Sequence, residues 1–213
     1  MKQKFQIQVD TEHYFKNYDS MTRFISYYFQ TNSIIQLKNV KTVLEIGLGN
    51  RTVNLYLKNF GFDITSCDFD KTLNPDFVGD VRNLPFKDDK FNAVLCCEVL
   101  EHIPLKDLPK ALSELSRVSN KYVVVSIPYY CAYFEFFTKF SLGYFTKVFN
   151  FALSIPYFFL KPKFTGEHYW GLGIKGISKK HFRNISKKSG LKVMNEFRET
   201  LNHHHYFFIM KKV

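Results

Sequence analysis

Short apolar runs alternating with stretches of helical spacing predict an α/β protein built on a mostly parallel sheet with both faces covered. Five strand-length runs, KTVLEIG, FDITSCD, DFVGDV, FNAVLCCE and KYVVVSIP, recur between residues 41 and 128. Most of them are apolar on consecutive residues, as strands buried on both faces are. Right-handed crossovers through the intervening helices make neighbouring strands parallel. At 213 residues the chain has room for one domain with a full core or a core plus an insertion, so 1–213 is read as a single domain.

Residues 1–40 are expected to form an N-terminal helical cap. Between Tyr14 and Leu37, Met21, Phe24, Ile25, Tyr28, Ile34 and Ile35 fall at helical spacing and predict a leading helix or two. The first strand runs into Gly47, and Val53, Leu55, Tyr56, Leu57 and Phe60 mark a helix closed by Gly61. Three more strands follow, and LKDLPKALSELSRVS is an amphipathic helix leading into the fifth. SKKHFRNISKKSG reads as a helix stopped by Gly190. Beyond it, LKVMNEFRET and HHHYFFIMKK form two strands joined by a turn around Leu201 and Asn202. That hairpin places an antiparallel strand in an otherwise parallel sheet.

Residues 129–175 interrupt this order as an aromatic insertion after the fifth strand. Phe134, Phe137 and Phe140, then Phe145, Val148, Phe149 and Ala152, have helical spacing around a break at Gly143. Two short amphipathic helices are expected. Lys139, Lys147, Asn150 and Pro156 punctuate the run, which argues against a membrane span of about 20 apolar residues.

The net charge of +11 and pI near 9.4 suit a solvated basic surface, nucleic acid, an anionic membrane or a phosphorylated substrate. Aromatic residues reach 18% and crowd into the insertion. Of the four cysteines, Cys67, Cys96, Cys97 and Cys131, the first three fall inside apolar strand-like runs rather than at disulfide or metal spacing, and no secretory signal is visible, so a reduced cytoplasmic protein is expected.

LEIGLGNRT has the strand, glycine turn and helix layout that offers free backbone N–H groups to a ligand. Gly47 and Gly49 fit the first two glycines of G-x-G-x-x-G, but Thr52 takes the third place, which weakens a nicotinamide or flavin reading. Three acids sharpen the choice. Glu45 lies where its carboxylate faces a cationic cofactor group, Asp68 ends the second strand where an acid accepts ribose hydroxyls, and Asp80 follows the third, placed for an exocyclic amine. Acids at the carboxyl ends of three successive parallel strands converge on one crevice.

VLEIGLGN, ITSCDFD, PDFVGDVRNLPF, FNAVLCCEVLEHIP and LSRVSNKYVVVSIP, in this order and spacing, resemble the class I S-adenosylmethionine-dependent methyltransferases. The resemblance covers roughly residues 40 to 128, and the closing helix and hairpin fit the last two strands. It implies a Rossmann-like doubly wound sheet of seven strands with the last antiparallel. S-adenosylmethionine would lie over Gly47 and Gly49 with Asn50 beside them. The resemblance puts Glu45 at the methionine end, Asp68 with Phe69 at the ribose, Asp80 with Val81 at the adenine, and Cys97 and Glu98 near the sulfonium. Arg51 replaces the third glycine of E-x-G-x-G-x-G, tolerable if its side chain points outward.

Methyl transfer from a sulfonium is an in-line displacement, so the protein must hold nucleophile and methyl in line and, for a hydroxyl, remove its proton. CEVLEHIP supplies Glu101 and His102, with His102 the candidate general base. The alternative reading of this stretch is a helix start that uses both residues for capping and packing. Glu98, Glu101 and His102 also form an E-x-x-E-H cluster similar to the metal-binding stretch of methyltransferases acting on quinone-precursor phenols and RNA 3′ ends, which implies a divalent cation there. GEHYWGLG puts His168 in a glycine-hinged loop that lines a substrate pocket or packs around the chain's tryptophan. One of His203, His204 and His205 is expected to face substrate, since strand neighbours alternate faces.

The expected activity is O-methylation of a small-molecule, lipid-linked or glycan acceptor, with the insertion as a lid. GEHYWGLG looks like uncharacterised bacterial methyltransferases associated with surface-glycan pathways. The rivals are a metal-assisted RNA methyltransferase and a non-catalytic cofactor-binding protein peripheral at the inner face of a membrane, anchored by the insertion beside KPK.

Overall fold

The strands follow from runs of Val, Ile, Leu and Cys that are buried to near zero exposure on both sides. The computed structural model describes residues 11–16, 18–199 and 201–213, so the first ten residues of the expected cap lie outside the described residues. Seven strands form one sheet: β1 (Thr42–Ile46), β2 (Asp63–Asp68), β3 (Phe77–Val78), β4 (Phe91–Cys97), β5 (Ser119–Pro128), β8 (Leu191–Glu199) and β9 (Asn202–Lys212), in the order β3-β2-β1-β4-β5-β9-β8. β1 to β5 are mutually parallel, and β9 runs antiparallel to both β5 and β8. The expected seven-stranded, doubly wound sheet is therefore present. β3 is only two residues long and solvent-exposed, shorter than DFVGDV suggests.

Alternation along each strand sends side chains to two separate cores. Val43, Leu95 and Val124 meet Ile34 of α1 (Met21–Ile35) and Val53 and Leu57 of α2 (Thr52–Phe60). Leu44, Val94, Cys96 and Val125 meet α3 (Leu108–Val118) and α4 (Lys179–Lys188) through Leu112, Leu115 and Phe182. Strand order reverses at β1, whose neighbours are β2 and β4, and ligands bind at the carboxyl ends beside such a switch.

Two expectations need correction. The insertion is not a pair of helices but an antiparallel ribbon of β6 (Cys131–Leu142) and β7 (Phe145–Pro156), paired from Cys131 with Pro156 to Leu142 with Phe145. Phe, Tyr, Val and Thr favour a pleated backbone, and aromatics this dense satisfy a helical spacing by coincidence. The second correction concerns α1, whose sequence-marking residues Met21, Phe24 and Tyr28 are exposed, while Ser26, Gln30, Thr31 and Ser33 are buried with Ile34.

Candidate functional site

A cavity of about 290 Å³ opens at the carboxyl edge beside the β1 switch. Gly47, Gly49 and Asn50 from the β1 turn, Asp68 and Phe69 after β2, Asp80 and Val81 after β3, and Cys97 and Glu98 after β4 all line it, with Glu45 beneath. Every residue expected to hold the cofactor is thus in one place. Gly47 has φ +85, and a Cβ there would collide with Val99 Cγ2, so both backbone and space favour glycine. Leu48 N–H and Asp70 N–H donate to the two Asp68 carboxylate oxygens at 2.7 and 2.8 Å, fixing the acid across the loop. Burial raises the Asp68 pKa, and these N–H bonds oppose the rise.

Arg51 points away from this cradle. Its φ is 68, its guanidinium donates to the Leu73 and Asn74 carbonyls at 2.5 and 2.6 Å, and it stands as N-cap of α2. The left-handed backbone that a third glycine would adopt freely is held here by an arginine tied to the next turn. Asp80 is less free than its position after a strand suggests. Arg82 bonds it twice and reaches Asp107, and although burial alone would raise Asp80, Arg82 holds its carboxyl below the ordinary value.

The fully buried carboxyl of Glu45 accepts from Asn54 Nδ2 at 2.9 Å, and burial pushes its pKa up to about 8. This acid has no basic partner among the described residues. A cationic group of a ligand supplies what the site lacks. The donor set therefore fits S-adenosylmethionine.

The opposite wall is built from four parts of the chain. Glu98, Glu101 and His102 come from the turn after β4, Glu167 and His168 from the loop before α4, His204 and His205 from β9, and Tyr18, Arg23, Tyr27 and Gln30 from the cap. Glu98 sits at φ 54, an uncommon conformation for a non-glycine residue. Its oxygens take the Ser126 hydroxyl at 2.7 Å and His205 Nε2 at 3.3 Å, while His205 Nδ1 meets Ser26 of α1 at 2.7 Å. Burial raises Glu98 and Glu101, and the charge of Glu98 raises Glu101 further.

His102 Nδ1 lies 3.1 Å from the Glu167 carbonyl, which only accepts, so Nδ1 carries the proton and Nε2 keeps its lone pair. Burial, then His168, lowers the His102 pKa to about 4. The ring is neutral at physiological pH. Glu101, His102 and His168 offer ligand atoms within 4.8 Å of one another, and one carboxylate with two imidazoles fits a divalent cation. Glu98 does not belong to that group, contrary to the E-x-x-E-H reading, because Ser126 and His205 claim it; His168 takes its place.

The 166–173 loop is packed at Trp170 and borders the cavity at Glu167 and His168. Trp170 is buried with Nε1–H donating to the Ile103 carbonyl at 3.0 Å, Tyr169 N–H donates to the Glu101 carbonyl, and Gly171 lies where a Cβ would strike Tyr130. This anchor lets the adjoining Glu167 and His168 reach the cavity. Of the three histidines, two line it, His204 and His205, since the cavity wraps over the start of β9; His203 instead stacks on Tyr133 at 3.6 Å. Sequence reasoning missed Tyr18, Arg23, Tyr27 and Gln30. The available signal was the polar set Arg23, Ser26 and Gln30, spaced three and four apart on α1.

Fold and site together define a protein that seats a nucleoside cofactor at the switch point of a class I sheet. Residues 44–125 match the family profile described as a methyltransferase domain. No curated protein matches. Solved structures with the same fold include a Pyrococcus horikoshii protein (TM-score 0.62, 14% identity, 94% of this chain and 96% of that one). A second is the Burkholderia thailandensis 1,6-didemethyltoxoflavin-N1-methyltransferase with S-adenosylhomocysteine bound (0.63, 11%, 95% and 84%). A third is the Synechocystis magnesium protoporphyrin IX methyltransferase, also with S-adenosylhomocysteine (0.60, 14%, 90% and 84%). At these identities the likeness is one of fold. Residues 44–125 carry a methyltransferase domain, and with the cofactor cradle this marks an S-adenosylmethionine-dependent methyltransferase.

Proposed function

We propose that this protein O-methylates a small acceptor with an apolar, ring-bearing or lipid- or glycan-linked part. The observation that carries the reading is His102 on the cavity wall, neutral, with its tautomer set by the Glu167 carbonyl so that Nε2 is the basic nitrogen of the ring. S-adenosylmethionine supplies a methyl group on a sulfonium. Glu45, Asp68 and the Gly47 turn would hold that cofactor, which would give up its methyl with breakage of the sulfur–methyl bond and leave as the neutral thioether, Glu98 and Glu101 would line the acceptor side, and His102 Nε2 would take the proton of the acceptor hydroxyl. His168 sits edge-on to His102 with centroids 4.7 Å apart and limits its rotation.

The apolar part of the acceptor is supported by the ribbon. β6 leaves the carboxyl edge directly after β5, and its aromatic surface continues into the exposed side of α1 through a groove lined by Phe24, Tyr28 and Phe137. Such a surface beside the cavity suits a lipid-linked substrate or a peripheral membrane contact. A divalent cation on Glu101, His102 and His168 is the second version of this site, favoured by their convergence within 4.8 Å; when bound it would orient neighbouring hydroxyls and lower their pKa.

The test is transfer of labelled methyl from S-adenosylmethionine into lipid, glycan, RNA and small-molecule extracts. On the identified acceptor, His102→Ala should lower kcat about 10²- to 10⁴-fold. Turnover of the wild type should survive dialysis against EDTA. Full activity in His102→Ala sinks the base assignment, and loss on chelation restored by Mg²⁺ or Mn²⁺ makes His102 a ligand instead.

A further inference from the structure

The described residues include six arginines, and five have polar partners on the guanidinium. Arg51 holds two carbonyls, Arg82 holds Asp80 and Asp107, Arg117 holds Glu114 and Asp88, Arg183 pairs with Glu196, and Arg198 with Glu135. Arg23 is the exception. It lines the cavity from the first turn of α1, only half exposed, and its guanidinium lies 4.3 Å from the centre of the Tyr18 ring. Among the described residues no carboxylate or carbonyl takes a hydrogen bond or ion pair from it, although a guanidinium carries five N–H donors in a rigid fork.

Its surroundings locate it on the acceptor side. Burial dominates the pKa shifts of Glu98, Glu101, His168, His204 and His205, and the charge of Arg23 opposes the rise of the two acids and adds to the fall of the three histidines, so it stands within electrostatic reach of the β4 turn, the anchored loop and β9. The acids opposite do not consume it. Glu98 is engaged by Ser126 and His205, and among the described residues neither Glu98 nor Glu101 pairs with the guanidinium. Tyr18 beneath and Tyr27 beside it, both lining the cavity, add aromatic surface. A planar cation stacked on one ring with its N–H edge unpartnered is how proteins present arginine to an oxyanion.

We propose that Arg23 recognises an oxyanion, a carboxylate or phosphate, on the methyl acceptor, so that the substrate is an anionic molecule with a hydroxyl within reach of His102. This rests on the methyltransferase reading and narrows its substrate class. The same fork also suits the methionine carboxylate of the cofactor, and the experiment separates the two sources.

Binding to the full chain is measured by calorimetry with S-adenosylhomocysteine, and then, with that ligand saturating, with three matched pairs: 4-hydroxybenzoate and 4-hydroxybenzyl alcohol, phenyl phosphate and phenol, glucose 1-phosphate and glucose. In the wild type the anionic member of at least one pair should bind about 10- to 100-fold tighter than its neutral twin. Arg23→Gln should abolish that preference and Arg23→Lys keep part of it, with S-adenosylhomocysteine affinity unchanged in both. A preference that survives Arg23→Gln, or no preference in any pair, overturns the proposal. So does a tenfold loss of S-adenosylhomocysteine affinity in Arg23→Gln with 5′-methylthioadenosine, which lacks the carboxylate, unaffected; the guanidinium then belongs to the cofactor. Failure of the wild type to bind S-adenosylhomocysteine at all would overturn the methyltransferase reading along with it.

Discussion

Glu45 shows how a single residue couples the site to pH. Its folded pKa of about 8 lies above the ordinary value of 4.5, so the cofactor-free protein holds the proton more tightly than the unfolded chain does. The associated stability is fully present below about pH 4.5 and is lost as pH rises through 8. Binding runs the other way, because a cationic ligand group favours the carboxylate. S-adenosylhomocysteine affinity should therefore rise between pH 6 and 8, and Glu45→Gln should flatten that dependence; an unchanged slope in the variant assigns the proton elsewhere. Glu45, Gly47, Gly49, Asp68 and Asp80 were legible because each is an acid or glycine at a strand end, where chemistry and position coincide, while Asn50, Phe69, Val81 and Cys97 came only with the family resemblance. Arg23 was not, since a lone arginine in an amphipathic stretch looks like solvated surface until the helix is placed over the sheet edge. Glu98 falls outside the group formed by Glu101, His102 and His168, and spacing alone cannot show that Ser126 and His205 reach it.

At the scale of elements, the core helices and strands were readable from periodicity, while the ribbon was not. Its aromatic density makes period 2 and period 3.6 equally easy to find, and only pairing between Cys131 and Pro156 decides. Beyond its base, where Glu135 approaches Arg198, nearly all side chains are exposed, among them Phe136, Phe140, Phe149 and Phe151 at about half their area or more. Replacing residues 136–151 by a short glycine and serine turn should accordingly leave the melting temperature within about 3 °C of the wild type. Two strands of 12 residues each span about 40 Å, yet a lone ribbon has unpaired edges that hydrocarbon does not tolerate, so it would lie in the interface rather than cross. Wild-type protein should co-sediment with phosphatidylglycerol vesicles and the shortened protein should not. Equal sedimentation of the two would remove the lipid role.

For the whole molecule the excess of basic residues, +11 in total, raises the matter of polyanions. The contacts around the cavity are short-ranged and enclosed, so kcat/KM for a small acceptor should change by less than about threefold between roughly 50 and 200 mM salt. A fall of several orders of magnitude would instead mark a nucleic-acid substrate.

The place of β9 has a consequence for synthesis. It is the last described element of the chain to be made, yet it fills an inner position between β5 and β8 and brings His204 and His205 to the cavity. A growing chain that has not yet reached Asn202 exposes two open strand edges at once, those of β5 and β8. Until residues 202–213 are in place the sheet stays open, and the strand that closes it is also the one that completes the wall of the cavity.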